Sequence, residues 1–246
     1  MSPFTFNTSP SIRFGTGIIA QLGDIVRAEI GTRILLVTDP GMIATGIVDR
    51  VSDVLQATGV EITLFAEVEA DPPEAVIEAA AASARAASVE GVVGLGGGSS
   101  LDVAKLAALL AVGQESLADV YGVGNARGPK LPLILVPTTS GTGSEVTPIS
   151  IVTTGKSEKM GVVSPVILPE IAVLDPELTL GLPAHVTAAT GIDAMVHAIE
   201  AYASASPNNN PVSRTLAKEA LRLLGGALER AVTTPDDIDA RTDMLL

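Results

Sequence analysis

A glycine-rich turn is the first segment of this sequence whose residues suggest ligand chemistry. It runs from Gly91 to Asp102 and contains three consecutive glycines, Gly96 to Gly98, followed by Ser99. Residues without a Cβ let the backbone approach a ligand closely, and the first amides of the following helix carry partial positive charge. The segment therefore predicts a pyrophosphate site, although its spacing differs from the G-x-G-x-x-G fingerprint. A tight turn with Ser99 and Asp102 as a capping box is the alternative interpretation.

A second candidate is Asp39, which directly follows the apolar run from Arg33 to Thr38. A carboxylate at the carboxyl end of a parallel strand can accept hydrogen bonds from both ribose hydroxyls of a dinucleotide. The same charge would repel a 2′-phosphate, so this position favours NAD over NADP. Taken alone, a turn-forming aspartate before Pro40 and Gly41 is the better explanation.

Small hydroxyl side chains fill the loop from Pro137 to Pro148, which follows another short apolar run. The loop holds six Ser or Thr residues and two glycines. Such a loop offers a polar ligand many short hydrogen-bond donors on a flexible backbone. An ordinary polar loop is the competing interpretation.

The pair Asp193 and His197 is the candidate for a metal site. Histidine is scarce in this chain, which has only His185 and His197. Positions four apart share one face of a helix, so a carboxylate and an imidazole there form half of a mixed site for a divalent cation. Taken alone, a helix pair without a metal is the better explanation, because catalytic metal sites commonly use three or four protein groups.

The elements that must position these residues alternate in type along the first two thirds of the chain. Predicted strands cover residues 33–38, 61–65, 91–95, 133–136, 149–154, 160–164 and 171–174, and predicted helices cover residues 43–57, 74–88 and 99–112. Polar residues 155–158 predict a hairpin-like turn between the strands that flank them. This alternation is typical of an α/β domain with a parallel sheet and helices on both faces.

The pattern changes after Leu182, and only helical periodicity continues. The predicted helices cover residues 184–204, 211–231 and 235 onward. We therefore predict an α/β domain over residues 1–182 and the start of an all-α domain over residues 183–246.

Composition and charge narrow the class of protein. Apolar residues make up 47% of the 246 residues and aromatic residues only 2%, so we expect an aliphatic core. A formal net charge of −13 disfavours nucleic acid and anionic membrane surfaces as partners. A sequence without cysteine has no disulfide, cysteine zinc site or thiol nucleophile, and fits a cytoplasmic protein. The longest apolar stretch, residues 106–112, is shorter than the roughly 20 residues of a membrane-spanning helix.

Three motifs occur in the order and spacing typical of one enzyme family. They are GGGSSLDVAK at residues 96–105, PTTSGTGSEVTP at residues 137–148 and GIDAMVHAIEAY at residues 191–202. The segments FGTG at residues 14–17 and VTDPGM at residues 37–42 fit the same pattern. Together they resemble the iron-containing (group III) alcohol dehydrogenases over essentially the whole chain.

That resemblance implies a dehydroquinate synthase-like α/β fold, NAD as the cofactor and Fe²⁺ as the metal. Asp193 and His197 would be the first two metal ligands. The metal would polarise the oxygen of a small alcohol or aldehyde while a hydride moves to or from the nicotinamide. Similar enzymes are often homo-oligomers. The residues that would contact the cofactor are Asp39, Gly97, Gly98, Ser99, Thr138, Thr139, Thr142 and Lys159.

The sequence departs from the family at the metal site. The family supplies two more metal-binding histidines on later helices, whereas no histidine follows His197 here. The last predicted helix ends on three apolar residues, Met244 to Leu246, with no capping residue. We therefore expect a chain that is truncated relative to the family, rather than one that ends in a short docked helix.

Three hypotheses for the function remain open on these residues. The first is an NAD-dependent, iron-dependent alcohol dehydrogenase. The second is a truncated NAD-binding fragment without catalytic activity. The third is a zinc-dependent polyol or glycerol-type dehydrogenase of the same fold group. The Asp193–His197 pair and the hydroxyl-rich loop favour the first hypothesis over the third.

Overall fold

The computed structural model of this chain describes residues 3–155, 157–206 and 208–246. The strands are β1 (Ser11–Phe14), β2 (Arg33–Val37), β3 (Glu61–Phe65), β4 (Gly91–Gly96), β5 (Gly122–Val123), β6 (Leu133–Pro137), β7 (Ile149–Thr154), β8 (Glu158–Val163) and β9 (Ile171–Leu174). The α-helices are α1 (Leu22–Glu29), α2 (Pro40–Ala44), α3 (Ile47–Ala57), α4 (Glu74–Ala86), α5 (Gly98–Val112), α6 (Leu117–Val120), α7 (Ala184–Ala203), α8 (Pro211–Thr233) and α9 (Ile238–Leu245).

The main sheet contains six parallel strands in the order β1-β9-β6-β4-β2-β3. The chain moves outward in one direction from β2 to β3 and in the other from β4 through β6 to β9. The sheet therefore has a switch point between β2 and β4, and ligands of such sheets bind outside the carboxyl ends of the strands at that point. The segments after β2, β4 and β6 contain Asp39, the glycine-rich turn and the hydroxyl loop.

Alternate residues of the central strands face two separate apolar clusters. In β2, Leu35 and Val37 pack in one cluster with residues of α4 and α5, whereas Ile34 and Leu36 pack in the other with residues of α1 and α3. A strand that is buried on both faces has apolar residues on both faces, which explains the uninterrupted aliphatic run from Ile34 to Val37 in β2. Helices therefore cover both faces of the sheet.

A separate hairpin extends from the end of the hydroxyl loop. Strands β7 and β8 pair in antiparallel fashion, and β5 adds to β8 as a short parallel strand. The chain before α4 packs on the hairpin, where the amide of Thr153 donates to the carbonyl of Pro72 over 3.0 Å. The hairpin thus stands beside the carboxyl edge of the main sheet.

The described chain after residue 183 forms a layer of helices in which α8 packs against both α7 and α9. The side chain of Asn210 caps α8, and that of Asp237 caps α9. A small cluster fills the space between α7, α8 and α9, and consists of Ala194, Met195, Ala220, Leu224, Ala227, Leu228, Ala231, Ala240 and Met244. In the part of the chain that the structure describes, no helix is both long enough and apolar enough to cross a membrane.

The predicted fold class is confirmed, since a parallel sheet with helices on both faces is followed by helices alone. The bounds of β3 and β9 coincide with the predicted strands. The predicted helix over residues 43–57 is wrong, because Gly46 adopts a left-handed conformation with φ of 76° and separates α2 from α3. The elements β1, α1, β5 and α6 had no counterpart among the predicted strands and helices. Two predicted loop residues, Lys156 and Pro207, lie outside the described residues, and the division into two domains at residue 182 stays a prediction.

Candidate functional site

The glycine-rich turn leads directly into the first turn of α5. Gly97 is the N-cap residue in an extended conformation, and no side chain in the described ranges caps the helix. The alternative interpretation, in which Ser99 and Asp102 form a capping box, is therefore wrong. The physical reason is register, since the helix begins at Gly98 and the carboxylate of Asp102 lies a full turn later. The first amides of α5 are left available to a ligand, with the positive end of the helix dipole behind them.

A cleft of about 1050 Å³ opens between this turn and the helical layer. Its volume lies near the upper end of the range typical of small-molecule and cofactor sites. One wall carries the glycine-rich turn, the hydroxyl loop and the hairpin, and the other carries α7, α8 and α9. The predicted site residues that line it are Gly98, Ser99, Thr139, Thr142, Lys159, Asp193 and His197.

The turn and the hydroxyl loop approach each other closely at Gly98. A Cβ at this position would lie 2.9 Å from both Cγ2 and Oγ1 of Thr142, which is closer than real Cβ contacts. A Cβ at Gly97 would meet only ordinary contacts, 3.5 to 3.6 Å from the side chain of Thr139. Gly98 is therefore the position at which a missing side chain keeps the floor of the cleft open.

Asp39 and Thr138 lie behind the turn and are not among the residues that line the cleft. One carboxylate oxygen of Asp39 accepts from the amide of Met42 over 3.1 Å, and the other accepts from Oγ of Ser100 over 3.0 Å. Asp39 therefore caps α2 and contacts α5. Thr138 is fully buried, and its hydroxyl lies 3.3 Å from Sδ of Met42. The interpretation of Asp39 as a turn-forming residue thus agrees with its contacts in this structure. A ribose could reach its carboxylate only from beside the glycine-rich turn.

Lys159 projects from β8 at the other end of the cleft. Its ammonium group lies 2.5 Å from a carboxylate oxygen of Asp71 and 3.0 Å from the hydroxyl of Thr153. Asp71 has a left-handed backbone with φ of 56°, an unusual conformation for a residue with a side chain. The lysine is therefore held at the cleft by an exposed ion pair, which contributes little to stability.

Asp193 and His197 lie on the opposite wall, one turn apart on α7. Oδ1 of Asp193 and Nε2 of His197 are 3.7 Å apart, and both side chains are about half exposed. Two ligands of a tetrahedral metal with bonds of about 2.1 Å are about 3.4 Å apart, so this pair fits a divalent cation with little movement. Among the described residues, no cluster of three or more His, Cys, Asp and Glu could hold a metal. The pair therefore offers two ligands and no third within that part of the chain.

A buried polar network beneath the cleft was missed by the sequence analysis. It joins Asp102 and Lys105 of α5 to Ser144 of the hydroxyl loop, and Lys105 is fully buried. Burial lowers the pKa of Lys105 below its ordinary value, and the nearby Asp102 carboxylate partly opposes that shift. Burial likewise raises the pKa of Glu145, which lines the cleft. The signal that could have revealed the network is that Asp102 and Lys105 are the charged residues of an otherwise apolar helix.

Comparison with known proteins places both parts of the chain in one family. Residues 9–176 match the model described as iron-containing alcohol dehydrogenase. Residues 187–246 match the C-terminal model of the Fe-containing alcohol dehydrogenase family. The chain belongs to the iron-containing alcohol dehydrogenase family.

Similar iron-containing alcohol dehydrogenases and solved structures match nearly the whole chain. Long-chain-alcohol dehydrogenase 1 of Geobacillus thermodenitrificans is 43% identical over 238 residues, which are 96% of this chain and 60% of that protein. The crystal structure of a 1,3-propanediol oxidoreductase has a TM-score of 0.94 at 34% identity, and the match covers 99% of this chain and 64% of that one. A sulfoacetaldehyde reductase from Bifidobacterium kashiwanohense, solved in complex with NAD+, has a TM-score of 0.90 at 34% identity over 100% of this chain and 65% of that one.

This chain spans only part of these iron-containing alcohol dehydrogenases, about 60% of the length of the Geobacillus protein. The shared part includes the parallel sheet, the hydroxyl loop and the helix that carries Asp193 and His197. The predicted family and fold class are thereby confirmed.

Proposed function

We propose that this chain binds NAD across the cleft and forms the cofactor-binding part of an oxidoreductase that interconverts an alcohol and an aldehyde or ketone at a divalent metal. The observation that carries the proposal is the geometry of the two walls. The uncapped N-terminus of α5 faces the same 1050 Å³ cleft as the Asp193–His197 pair. A diphosphate at one wall and a metal at the other would bracket a nicotinamide and a substrate between them.

The proposed cofactor site begins at the first amides of α5. The backbone beside Gly97, Gly98 and Ser99 would donate to the diphosphate, as expected at a helix N-terminus. Thr139 and Thr142 would donate from the hydroxyl loop, and Lys159 would exchange its ion pair with Asp71 for a phosphate oxygen or ribose. Asp39 and Thr138 would flank the adenosine end from behind the turn. NAD, when bound, would accept or donate the hydride at its nicotinamide ring.

The proposed metal site uses the two donors that the helical layer contributes. The carboxylate of Asp193 and the imidazole of His197 are suited to Fe²⁺, although this donor pair also accepts zinc and other divalent cations. A bound divalent cation would supply Lewis-acid polarisation of the substrate oxygen. The role of the chain is to hold that oxygen near the nicotinamide, since orientation alone removes much of the barrier for a two-reactant step.

Alcohol and aldehyde are the proposed substrate class. The names of similar proteins refer to long-chain alcohols, 1,3-propanediol and sulfoacetaldehyde, which differ in length and charge but share an alcohol or carbonyl carbon. We further propose, from the composition, that the protein works in the cytoplasm, and from the family that the enzyme is a homo-oligomer.

Titration of the purified chain with NADH and with Fe²⁺ tests the proposal. The chain has no tryptophan, so the emission of bound NADH is measured without overlap from protein fluorescence. We expect saturable NADH binding and, with Fe²⁺ added under anaerobic conditions, NAD reduction by primary alcohols. NADH binding without turnover would favour the second hypothesis, a non-catalytic NAD-binding fragment, and zinc-dependent turnover of polyols would favour the third. A chain that binds no NADH would contradict the proposal.

Replacing Asp39 tests the choice between NAD and NADP. We expect Asp39→Asn to raise the affinity for NADPH about tenfold relative to NADH, equal to about 1.4 kcal/mol, because the repulsion of a 2′-phosphate is removed. Asparagine caps helices as well as aspartate does, so stability should change little. Parallel fluorescence titrations with both cofactors measure the ratio.

Asp39→Ala provides the comparison, because alanine removes the cap as well as the charge. We expect this variant to lose about 1 kcal/mol of stability and to show the same change in cofactor ratio. An unchanged NADPH-to-NADH ratio in both variants would place Asp39 away from the ribose and leave it as a helix cap alone.

A further inference from the structure

We propose that Lys105 is a positioning residue for the dinucleotide cleft, because its buried ammonium group fastens the hydroxyl loop to the helix that presents the phosphate-binding amides. The inference rests on the proposed NAD site. It adds a residue that holds the hydroxyl loop and the first turn of α5 in fixed positions relative to each other. The lock consists of Asp102, Lys105 and Ser144, and lies beneath the cleft.

The ammonium group of Lys105 is fully satisfied within the protein. It donates to Oγ of Ser144 over 2.8 Å, to the carbonyl of Ile149 over 2.6 Å and to Oδ1 of Asp102 over 3.4 Å. An ammonium has three N–H donors, so each donor has one acceptor. The side chain is completely buried, and Lys105 therefore has a single set of contacts rather than the many positions open to a surface lysine.

Asp102 extends the lock to the hairpin. One carboxylate oxygen accepts from Oγ of Ser144 over 2.6 Å, and the other accepts from the amide of Ile151 over 2.9 Å. Since Ser144 accepts from the lysine and donates to the aspartate, its hydroxyl has one permitted orientation. Strand β7 is thereby held to α5, and β7 pairs with the strand that carries Lys159.

The lock reaches the cleft through Thr142. The amide of Ser144 donates to Oγ1 of Thr142 over 3.3 Å, and the side chain of Thr142 is the one that packs over Gly98. A chain of contacts therefore runs from Lys105 through Ser144 and Thr142 to the first turn of α5. A shift of Ser144 would therefore move the Thr142 hydroxyl, which lies beside Gly98 in the first turn of α5.

Stability alone is a weak reason for a buried ion pair of this kind. Removing an ammonium group from water has a large desolvation cost, and replacing a whole buried ion pair with apolar side chains of similar volume is often neutral or stabilising, whereas removing one partner alone leaves the other charge uncompensated. A lysine that is held for its contacts to the loop should therefore weaken NADH binding by more than the accompanying loss of stability explains. That difference separates a positioning role from a structural one.

Lys105→Met is the decisive variant, since methionine keeps much of the length of the side chain and removes all three donors. We expect the Kd for NADH to rise about tenfold. The melting temperature should also fall, because Asp102 is left without its buried counter-charge, and the amides of residues 141–147 and of Ile151 should exchange hydrogen faster. Ser144→Ala breaks the same lock from the loop side but keeps the Asp102–Lys105 pair, and should reproduce the weaker binding and the faster exchange with a smaller loss of stability. The Kd of the double variant for NADH should be no higher than that of the single variant with the higher Kd, because both changes break the same lock.

Ser164→Ala is the matched control, because Ser164 is a buried serine whose hydroxyl donates to the carbonyl of Ala126, away from the cleft. We expect it to lose some stability with unchanged NADH binding. If Lys105→Met and Ser144→Ala bound NADH as tightly as the parent, or if Ser164→Ala lost as much affinity for NADH as they do, the proposal would be overturned. If the parent itself bound no NADH, the proposed function would fail, and unchanged exchange in the loop would separately refute the lock.

Discussion

Gly98→Val should weaken NADH binding about 100-fold, equal to about 2.7 kcal/mol, while the chain remains folded. The added Cβ would meet the side chain of Thr142 at 2.9 Å, and the two methyl groups would fill the space in front of the first amides of α5. A diphosphate that cannot reach those amides loses charge-assisted hydrogen bonds and the favourable end of the helix dipole. Fluorescence titration with NADH gives the affinity, and circular dichroism reports the fold.

Gly225→Val is the control for this prediction. Gly225 lies in α8, is exposed, and would present a Cβ to open space. The same change of residue type should leave NADH binding at the parental value. If Gly98→Val bound NADH normally, the diphosphate would lie elsewhere and the cofactor site proposed at α5 would be wrong.

His197→Ala should reduce the affinity for Fe²⁺ about 100-fold, because it removes one of the two protein donors that face the cleft. Alanine preserves α7, since alanine is the strongest helix former and His197 is half exposed. Anaerobic calorimetric titration of the parent and variant with Fe²⁺ measures the difference. Asp193→Asn should have a similar effect, since a neutral amide is a weaker ligand than a carboxylate.

The chain contains its own control for this experiment. His185 is the other histidine, lies on the same helix, is exposed and is not among the residues that line the cleft. His185→Ala should bind Fe²⁺ like the parent. Equal loss in both variants, or no loss in His197→Ala, would show that the metal does not bind at the Asp193–His197 pair.

The sequence determined the parts of this protein that depend on local patterns. Short runs of β-branched and apolar residues gave correct bounds for β3 and β9, and every residue of β9 is buried, which leaves no position there for a polar side chain. The spacing of Asp193 and His197 placed both on one face of α7, since the geometry of a helix fixes residues four apart. The glycine-rich turn was likewise identifiable from the sequence. Residues without a Cβ and the first amides of the helix that follows them are neighbours in the chain, so their effect is visible in a local pattern.

Tertiary structure decided what depends on the order of strands and on burial. Residues that follow β2, β4 and β6 lie side by side only because those strands are neighbours in the sheet. The contact of Asp102 with Ser144, 42 residues apart in the chain, has no local pattern to announce it. The capping box considered for Ser99 and Asp102 does not form, because α5 begins at Gly98 and Asp102 lies a full turn into the helix. The sequence pattern predicted a helix over residues 99–112, but only the packed structure shows that its lysine is buried with its charge satisfied.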